Sequence, residues 1–474
     1  FIRLRSVTLG YTFPQRLVSK IHLKGLRVYA QGDNVFLCSR YPGWDPETSV
    51  NLDPRFYGED NDGVPQPRIF KLEPHSAVSP TVVGSDDIEA LRIGMYNKVQ
   101  EGPTYYSYIA FDLFGGELMT STGRPIDLIN SLSNALHTFV SSQWNGYYKA
   151  LLQVNNVMSI AEGLADSPTR NRVLGECRYF RAYIYLCLVT RFGDVPVLRQ
   201  NTQAKVSRDP ASMAWELVEE DLDAASGFLN GLSADSFYYV SPAAVTALKA
   251  RVKLYLGKKG EAKELAESLI TNPNYALDDF DKIFRSKANK EVIFAFSCLT
   301  EDGSSIKISN QFYSYNHPNK GSYNYRPAGD VMTMYADNDL RKEVSITTLD
   351  NLNFVNKYPS GQTGSDPVVI SRLAEMYLIS AEAQGLNGGL DRLNELREKR
   401  GLDRVSPGNE ADFLDAVLQE RRLEFLAEGF RWYDLVRTGK ATQTLGTKDY
   451  QCLMPLPSRE LLYNPNLKPN NPGY

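Results

Sequence analysis

The sequence has little histidine and little cysteine. Its 474 residues include four His and five Cys. The cysteines form no CxxC pair and are odd in number; they are Cys38, Cys177, Cys187, Cys298 and Cys452. This pattern argues against a disulfide framework and against a zinc or other His-based metal site. We therefore predict a protein without a metal and without a cofactor.

Charge of one sign and long hydrophobic runs are also missing. The formal net charge is −4, and acidic and basic residues are mixed along the chain. The absence of a basic stripe argues against nucleic acid as a partner. The longest apolar runs, such as 182–189, are too short to span a bilayer. The sequence contains no P-loop, no GxGxxG after a strand, no GxSxG and no HExxH, so no common catalytic motif is present.

Helical periodicity dominates the chain from about residue 86 onward. The short turn between 242–256 and 261–270, with small residues on the facing sides, is typical of a tetratricopeptide-type helix pair, and 372–384 with 390–401 forms a second pair. Residues 291–296 are predicted to form a buried strand. Helices are predicted over 88–99, 127–165, 168–193, 211–229, 242–256, 261–270, 372–384 and 390–401.

The most informative stretch is 420–440, ERRLEFLAEGFRWYDLVRTGK. Its apolar residues recur at helical spacing and its opposite charges lie three or four residues apart. Gly429 marks the place where one helix ends and a second begins. Glu424 and Glu428 lie one turn apart, which would suit a pair of catalytic carboxylates. The arginines around them instead predict a structural ion network with lowered carboxyl pKa values.

This stretch is similar to the C-terminal signature of the SusD/RagB family of outer-membrane nutrient-binding lipoproteins. The stretches GECRYFRAYIYLCLVTRFGDVPV and CLMPLPSRELLYNPNLKPNNPGY also resemble that family, so the resemblance spans 86–474. It implies a mainly α, SusD-like fold of tetratricopeptide-type helix pairs with an irregular, loop-rich subregion. It further implies a protein that is not an enzyme and that works on the cell-surface side of the outer membrane of a Gram-negative cell.

Residues 1–72 differ from the rest because polar and apolar residues alternate in them, as in strands. FIRLRSVTLGYTFP, LRVYAQGDNVF, RYPGWDPE and VPQPRIF resemble, in this order, the C-terminal end of SusC-type TonB-dependent transporters. We predict a short β segment that forms no functional barrel, followed by a linker over 73–85. No cysteine lies between Cys38 and Cys177, so a lipid anchor is not visible, and the start at Phe1 leads us to expect a longer reading frame.

Aromatic residues in polar loops indicate where a ligand binds. Flat rings cover the C–H faces of a sugar, while amide, guanidinium and carboxylate groups satisfy its hydroxyls. The segment 300–329 occupies a place where the family inserts variable ligand-binding loops. Its candidates are Phe312, Tyr313, Tyr315, Asn316, Tyr323, Asn324, Tyr325 and Arg326. A second cluster consists of Tyr105, Tyr106, Asp112 and Arg124.

The function implied is glycan capture and delivery to a SusC-type TonB-dependent transporter. Three alternatives stay open at this point. The protein captures peptides with the same fold, it is a helical-repeat scaffold that binds only its transporter, or it is a glycoside hydrolase that uses a dispersed pair of carboxylates.

Overall fold

A computed structural model describes residues 2–12, 27–38, 85–120, 125–285, 288–298 and 306–474. The chain divides into two units, Phe1–Ala77 and Val78–Tyr474. The described part of the first unit is an antiparallel pair of strands, β1 (Ile2–Thr12) and β2 (Arg27–Cys38). These two strands confirm the prediction from sequence alternation. The motif VPQPRIF (64–70) and nearly all of the predicted linker lie outside the described residues.

The second unit is mainly helical, as the resemblance implies. The helices of its first half are α1 (Ser85–Glu101), α2 (Thr104–Phe114), α3 (Pro125–Leu132), α4 (Thr138–Glu162), α5 (Pro168–Phe192), α6 (Ala211–Phe228), α7 (Pro242–Tyr255), α8 (Lys259–Ile270) and α9 (Phe280–Ile283). Those of its second half are α10 (Lys342–Ser345), α11 (Leu373–Lys399), α12 (Glu410–Glu424), α13 (Arg431–Arg437), α14 (Ala441–Leu445) and α15 (Ser458–Tyr463).

Short strands pair two by two among these helices, always antiparallel. The pairs are β3 (Leu118–Met119) with β5 (Arg326–Pro327), β4 (Val292–Phe296) with β8 (Val368–Arg372), and β6 (Ile346–Leu349) with β7 (Leu352–Val355). Every residue of β4 and β8 is buried, which confirms the predicted internal strand.

Helix ends follow local capping chemistry. The Ser167 side chain accepts a hydrogen bond from the Arg170 N–H, and Pro168 occupies the first turn of α5. The single helix predicted over 127–165 is wrong, because the chain breaks between α3 and α4. There the Asn134 side chain accepts from the Leu136 N–H at 2.9 Å, and a ring nitrogen of His137 accepts from the Phe139 N–H at 3.0 Å. A turn followed by a new N-cap is the reason for the break.

The predicted helix pairs are present and stacked. Helix α8 packs against both α7 and α11, and α11 also packs against α12. Helix α11 contains both predicted helices of the second pair, with a break at Gly385, where φ is +68°. Fully buried alanines on the facing sides, including Ala247 and Ala262, let the helix backbones approach closely.

Candidate functional site

A two-stranded pairing joins the two parts of the chain in which ligand contacts are predicted. Strand β3 follows α2, and Tyr105 and Tyr106 of the second predicted cluster lie at the start of α2. Strand β5 lies near the end of the segment 300–329. In this pairing Leu118 lies opposite Pro327. The Ala328 N–H also donates to the Glu117 carbonyl at 2.8 Å. Segments about two hundred residues apart in sequence therefore meet at one place.

Three of the predicted tyrosines form one cluster at this junction. The rings of Tyr105 and Tyr106 lie 4.4 Å apart between centroids, inclined at 45°. The phenols of Tyr105 and Tyr325 are hydrogen-bonded. Burial raises the pKa of Tyr325 to about 12, so its phenol is neutral at physiological pH. Tyr105 and Tyr106 are half-buried and leave part of the cluster accessible.

Two other predicted rings lie in the core and do not face a ligand. Phe312 and Tyr313 are both 0% exposed. Phe312 stacks on Tyr358, with centroids 6.2 Å apart. The Tyr313 hydroxyl donates to Asn356 Oδ1 at 2.9 Å, and its ring lies 5.9 Å from that of Phe354. The prediction that they contact ligand directly is wrong for this conformation, because burying apolar rings anchors the loop instead.

Tyr315 is the candidate ring that the loop presents to solvent. It is 77% exposed. The Lys320 ammonium lies 5.9 Å from its ring centroid, and the neighbouring Asn316 is exposed as well. An aromatic face with an amide and a cation beside it can stack on a sugar ring and hydrogen-bond to its substituents.

Backbone pairing holds this loop in shape. The Tyr323 N–H donates to the Tyr313 carbonyl at 2.9 Å, and the Tyr325 N–H donates to the Gln311 carbonyl at 3.1 Å. Half-buried Tyr323 donates its hydroxyl to the Asn353 carbonyl at 3.0 Å. The loop is therefore rigid at its base, which lowers the entropy cost of binding.

The remaining polar candidates differ in position. Asn324 is exposed, and its amide donates to Gln311 Oε1 at 2.7 Å. Arg326 is half-buried, and its Nε lies 3.4 Å from the Thr120 carbonyl oxygen. Arg124 lies outside the described residues. Asn324 thus sits at the loop surface, whereas Arg326 belongs to the junction of the two segments.

Asp112, a predicted ligand contact, lies inside the protein. It is 0% exposed and accepts a hydrogen bond from the Gly429 N–H at 2.8 Å. Burial, reinforced by the neighbouring Glu117, raises its pKa well above the ordinary value. Burial also raises the pKa of Glu117, although Arg422 and Arg431 oppose this. Asp112 is therefore a buried acid of the core, and the prediction of a direct ligand contact is corrected.

An ion network around Glu424 and Glu428 is present, as predicted, but its arginines are not the ones that lie beside these carboxylates in sequence. Arg421, Arg422 and Arg437 pair instead with Asp434, Asp330 and Glu382. Burial alone would raise the Glu424 pKa, but Arg400, Arg372 and Arg341 bring it well below its ordinary value. The N···O distances from Glu424 are 2.8 Å to Arg341, 2.5 Å to Arg372 and 2.8 Å to Arg400. The network consists of Arg341, Lys357, Arg372, Arg397, Arg400, Glu291, Asp339, Glu420, Glu424 and Glu428.

Neither carboxylate pair of the core can reach a polysaccharide. Asp112 and Glu117 are at most 1% exposed, and the side chains of Glu424 and Glu428 are equally buried. Within the described ranges, no group of three or more His, Cys, Asp or Glu side chains is arranged to hold a metal ion. No helix in that same part of the chain is long and apolar enough to cross a membrane.

We call the loop that carries Tyr313, Tyr315 and Tyr323 the aromatic loop. The stacked helix pairs and this loop together have the fold of solved SusD superfamily proteins. A laminarin-binding SusD-like protein superposes with a TM-score of 0.70 at 22% identity, covering 82% of this chain and 99% of that chain. The surface glycan-binding protein A of Bacteroides thetaiotaomicron, solved with laminarihexaose, superposes with a TM-score of 0.70 at 19% identity, covering 81% and 99%. At such identities the likeness establishes the fold.

Sequence comparison gives the family. Residues 351–452 match the model described as SusD family, and residues 72–256 match one described as starch-binding associating with outer membrane. The SusD-like protein P38 of Formosa agariphila is 26% identical over 424 residues, covering 73% of this chain and 82% of the relative. These matches identify residues 72–256 and 351–452 as SusD-type sequence.

A further match concerns a transporter. The TonB-dependent receptor P3 of Formosa agariphila is 34% identical over 53 residues, which are 11% of this chain and 5% of the receptor. A match this short does not support the predicted transporter resemblance of residues 1–72, which stays a prediction.

Sequence reasoning missed two side chains of the loop. The His317 ring packs against the rings of Tyr313 and Phe354, with centroid distances of 4.4 Å and 4.8 Å, and so helps to hold the loop in place. Lys320 lies beside Tyr315. A signal for Lys320 was present, because it is the only Lys or Arg between positions 308 and 325.

Proposed function

We propose that the protein binds a glycan at the aromatic loop without catalysis, on the outer face of the outer membrane. The observation that carries this proposal is the solvent-exposed ring of Tyr315 on a loop whose base is fixed by buried Phe312 and Tyr313. A flat ring held in solvent on a rigid loop is available to stack on the C–H face of a sugar. The outer-membrane description of the matching family model, and the laminarin ligands named for two proteins of the same fold, support the glycan class.

The two predicted clusters supply complementary parts of such a site. Tyr315 and Asn316 offer a ring and an amide at the loop surface, and Tyr105 with Tyr106 offers further half-exposed aromatic area. A chain of sugars presents alternating apolar faces and hydroxyl edges, which separate rings and amides along a surface can follow. Burial of the two carboxylate pairs described above favours binding over hydrolysis.

Affinity electrophoresis of the full chain in gels containing single polysaccharides, laminarin among them, tests the proposal. We expect one class of glycan to retard the protein and Tyr315→Ala to weaken binding about fivefold, because stacking of this kind contributes about 1 kcal/mol. Tyr463→Ala is the matched control. Tyr463 is 53% exposed and also has a cation near its ring, Arg459 at 5.3 Å, but it lies on α15.

Three outcomes would overturn the proposal. Binding that is unchanged in Tyr315→Ala, or lost equally in Tyr463→Ala, would place the ligand elsewhere. Binding of a peptide pool in calorimetry, with no glycan retarded, would establish peptide capture. No binding of either class would leave a scaffold that has only a protein partner.

We further propose that the bound glycan passes to a TonB-dependent transporter. The SusD-family match over residues 351–452 supports this partner class, and the short receptor match is compatible with it. Cross-linking on intact cells, followed by purification of the protein, tests it. We expect a TonB-dependent transporter in the cross-linked product, and its absence when the protein is present at the surface would contradict the proposal.

A further inference from the structure

A second cleft, away from the aromatic loop, lies between α4, α5 and the segment that follows α5. Its volume is about 490 Å³. That volume falls within the usual range for clefts that bind small ligands, about 300–1,000 Å³. We call it the α4–α5 cleft. None of its lining side chains is aromatic, and all but Met158 are polar, among them Asn155, Asn156, Arg178 and Arg199.

Two arginines and two acids meet at the base of the α4–α5 cleft. Arg178 and Arg181 share one buried carboxylate, Asp221, with N···O distances of 2.9 Å and 2.6 Å. The other acid near Arg178 is Glu162, 3.6 Å away with a side chain that is 52% exposed. An exposed ion pair at this distance is weak, so water or another anion can replace the Glu162 carboxylate. An anion that enters the cleft can therefore take the place of Glu162 beside Arg178.

Arg178 also has an unused donor. Its Nε–H has no hydrogen-bond acceptor, although the atom is buried. Buried donors without acceptors are rare because each costs free energy. A carboxylate that entered the cleft and replaced Glu162 would face a guanidinium with free hydrogen-bonding capacity.

The wall of the cleft is already in place without ligand. The Arg181 Nη1 donates to the Arg199 carbonyl at 2.8 Å. The Asn201 amide donates to the Leu152 carbonyl at 3.0 Å and to Asn156 Oδ1 at 2.7 Å. These bonds tie the segment after α5 to α4, so little ordering is needed on binding.

From this arrangement we infer that the α4–α5 cleft binds a small polyhydroxylated acid, such as a sugar acid. The guanidinium of Arg178 takes the carboxylate, and the exposed amide of Asn156 can hydrogen-bond to hydroxyls. The lack of aromatic rings disfavours a neutral sugar, which relies on stacking. This site is separate from the proposed glycan site, so either can fail without the other.

Calorimetric titration of the full chain tests the inference with three probes at equal ionic strength: sodium glucuronate, glucose and sodium acetate. Glucuronate carries the carboxylate and the hydroxyls, while the other two probes carry one feature each. We expect glucuronate to bind at least about tenfold more tightly than either, in line with charge-assisted hydrogen bonds.

Two variants locate the binding. Arg178→Lys keeps the charge and removes the planar fork, so we expect about a tenfold loss for glucuronate. Arg199→Gln changes a side chain that is 54% exposed and paired with Glu220, and we expect about a threefold loss. Arg404→Gln is the control and should change nothing, because Arg404 is an exposed arginine in the segment after α11 and pairs with Asp391.

Four results would overturn the inference that glucuronate binds in the α4–α5 cleft. Equal affinity for glucuronate and acetate, or no binding of glucuronate, overturns the inference. So does glucuronate binding that both arginine variants leave unchanged. Loss of glucuronate binding in Tyr315→Ala would assign it to the aromatic loop and also overturn the inference, while leaving the glycan site standing. If Arg178→Lys does not fold, the comparison of Arg199→Gln with Arg404→Gln still tests whether glucuronate binds in the α4–α5 cleft.

Discussion

Glu424→Gln is the sharpest perturbation that the structure offers for stability. Glu424 is 0% exposed and accepts hydrogen bonds from Arg341, Arg372 and Arg400. The ten-residue network that contains it has five cations and five anions, so removing one charge leaves a buried excess of +1. Breaking a buried ion pair by neutralising one partner costs about 3–5 kcal/mol.

We expect the lower end of that range, about 3 kcal/mol. Each of the three arginines keeps at least one other carboxylate of the network, so no guanidinium becomes isolated. Glutamine also fills the same volume, so no cavity adds to the cost. The assay is urea unfolding of the full chain followed by circular dichroism, with the free energy of unfolding compared at pH 7.

The pH dependence gives a second readout for the same variant. The folded-state pKa of Glu424 lies well below its ordinary value of 4.5. Such a group contributes its full stability above the ordinary pKa and loses it as pH falls through the folded-state pKa. The wild type should therefore lose stability on acidification below about pH 4, and Glu424→Gln should lose less over that interval.

Glu398→Gln is the matched control for this experiment. Glu398 is 50% exposed on α11 and pairs with Arg404 at 3.2 Å, so its loss should cost less than about 0.5 kcal/mol. A cost below about 1 kcal/mol for Glu424→Gln, or a cost equal to that of the control, would refute the idea that Glu424 neutralises a buried excess of positive charge.

Two further variants and the two ligand experiments complete the set. Asp112→Asn should gain stability relative to the wild type as pH rises from 5 to 8, because a carboxyl with a raised folded-state pKa stabilises below its ordinary pKa and loses that contribution as pH rises; parallel stability profiles over that range would contradict this. Gly361→Ala should cost about 1–3 kcal/mol, since φ is +55° there and a Cβ would lie 1.7 Å from the Asn319 carbonyl oxygen; an unchanged urea midpoint would show that the turn can shift. Tyr315→Ala should weaken glycan binding, with Tyr463→Ala as control. Glucuronate should bind at the α4–α5 cleft and not at the aromatic loop.

Much of the helical framework was predictable because it depends on local patterns. Ser167 and Pro168 begin α5 at the predicted place. Gly429, with φ +80°, lies in the predicted break between α12 and α13. The failure was the single helix over 127–165, where apolar periodicity continued across a turn made by Asn134 and its neighbours. Hydrophobic periodicity shows which face of a helix is buried. It does not reveal a break in the helix when the same face stays buried on both sides of the break.

The candidate site was predictable as a segment but not ring by ring. Composition alone placed ligand contacts in 300–329 and near Tyr105. It could not separate buried Tyr313 from exposed Tyr315, because two positions along a loop carry no periodicity that tells inside from outside. Asp112 was grouped with Tyr105 and Tyr106 as a ligand contact, whereas it lies in the core near Glu117.

By itself, the sequence determined the helices, their stacked pairs, the existence of an ion network around Glu424 and the segment with surface aromatics, because each follows from spacing within about one to two turns or from composition. The tertiary structure alone decided the partners. Arg341 and Arg372 reach Glu424 across sequence separations of 83 and 52 residues. The pairing of β3 with β5 brings Tyr105 to Tyr325, and the α4–α5 cleft exists only where α4, α5 and the following segment meet. Contacts between distant segments depend on how the whole core packs, and no local pattern encodes them.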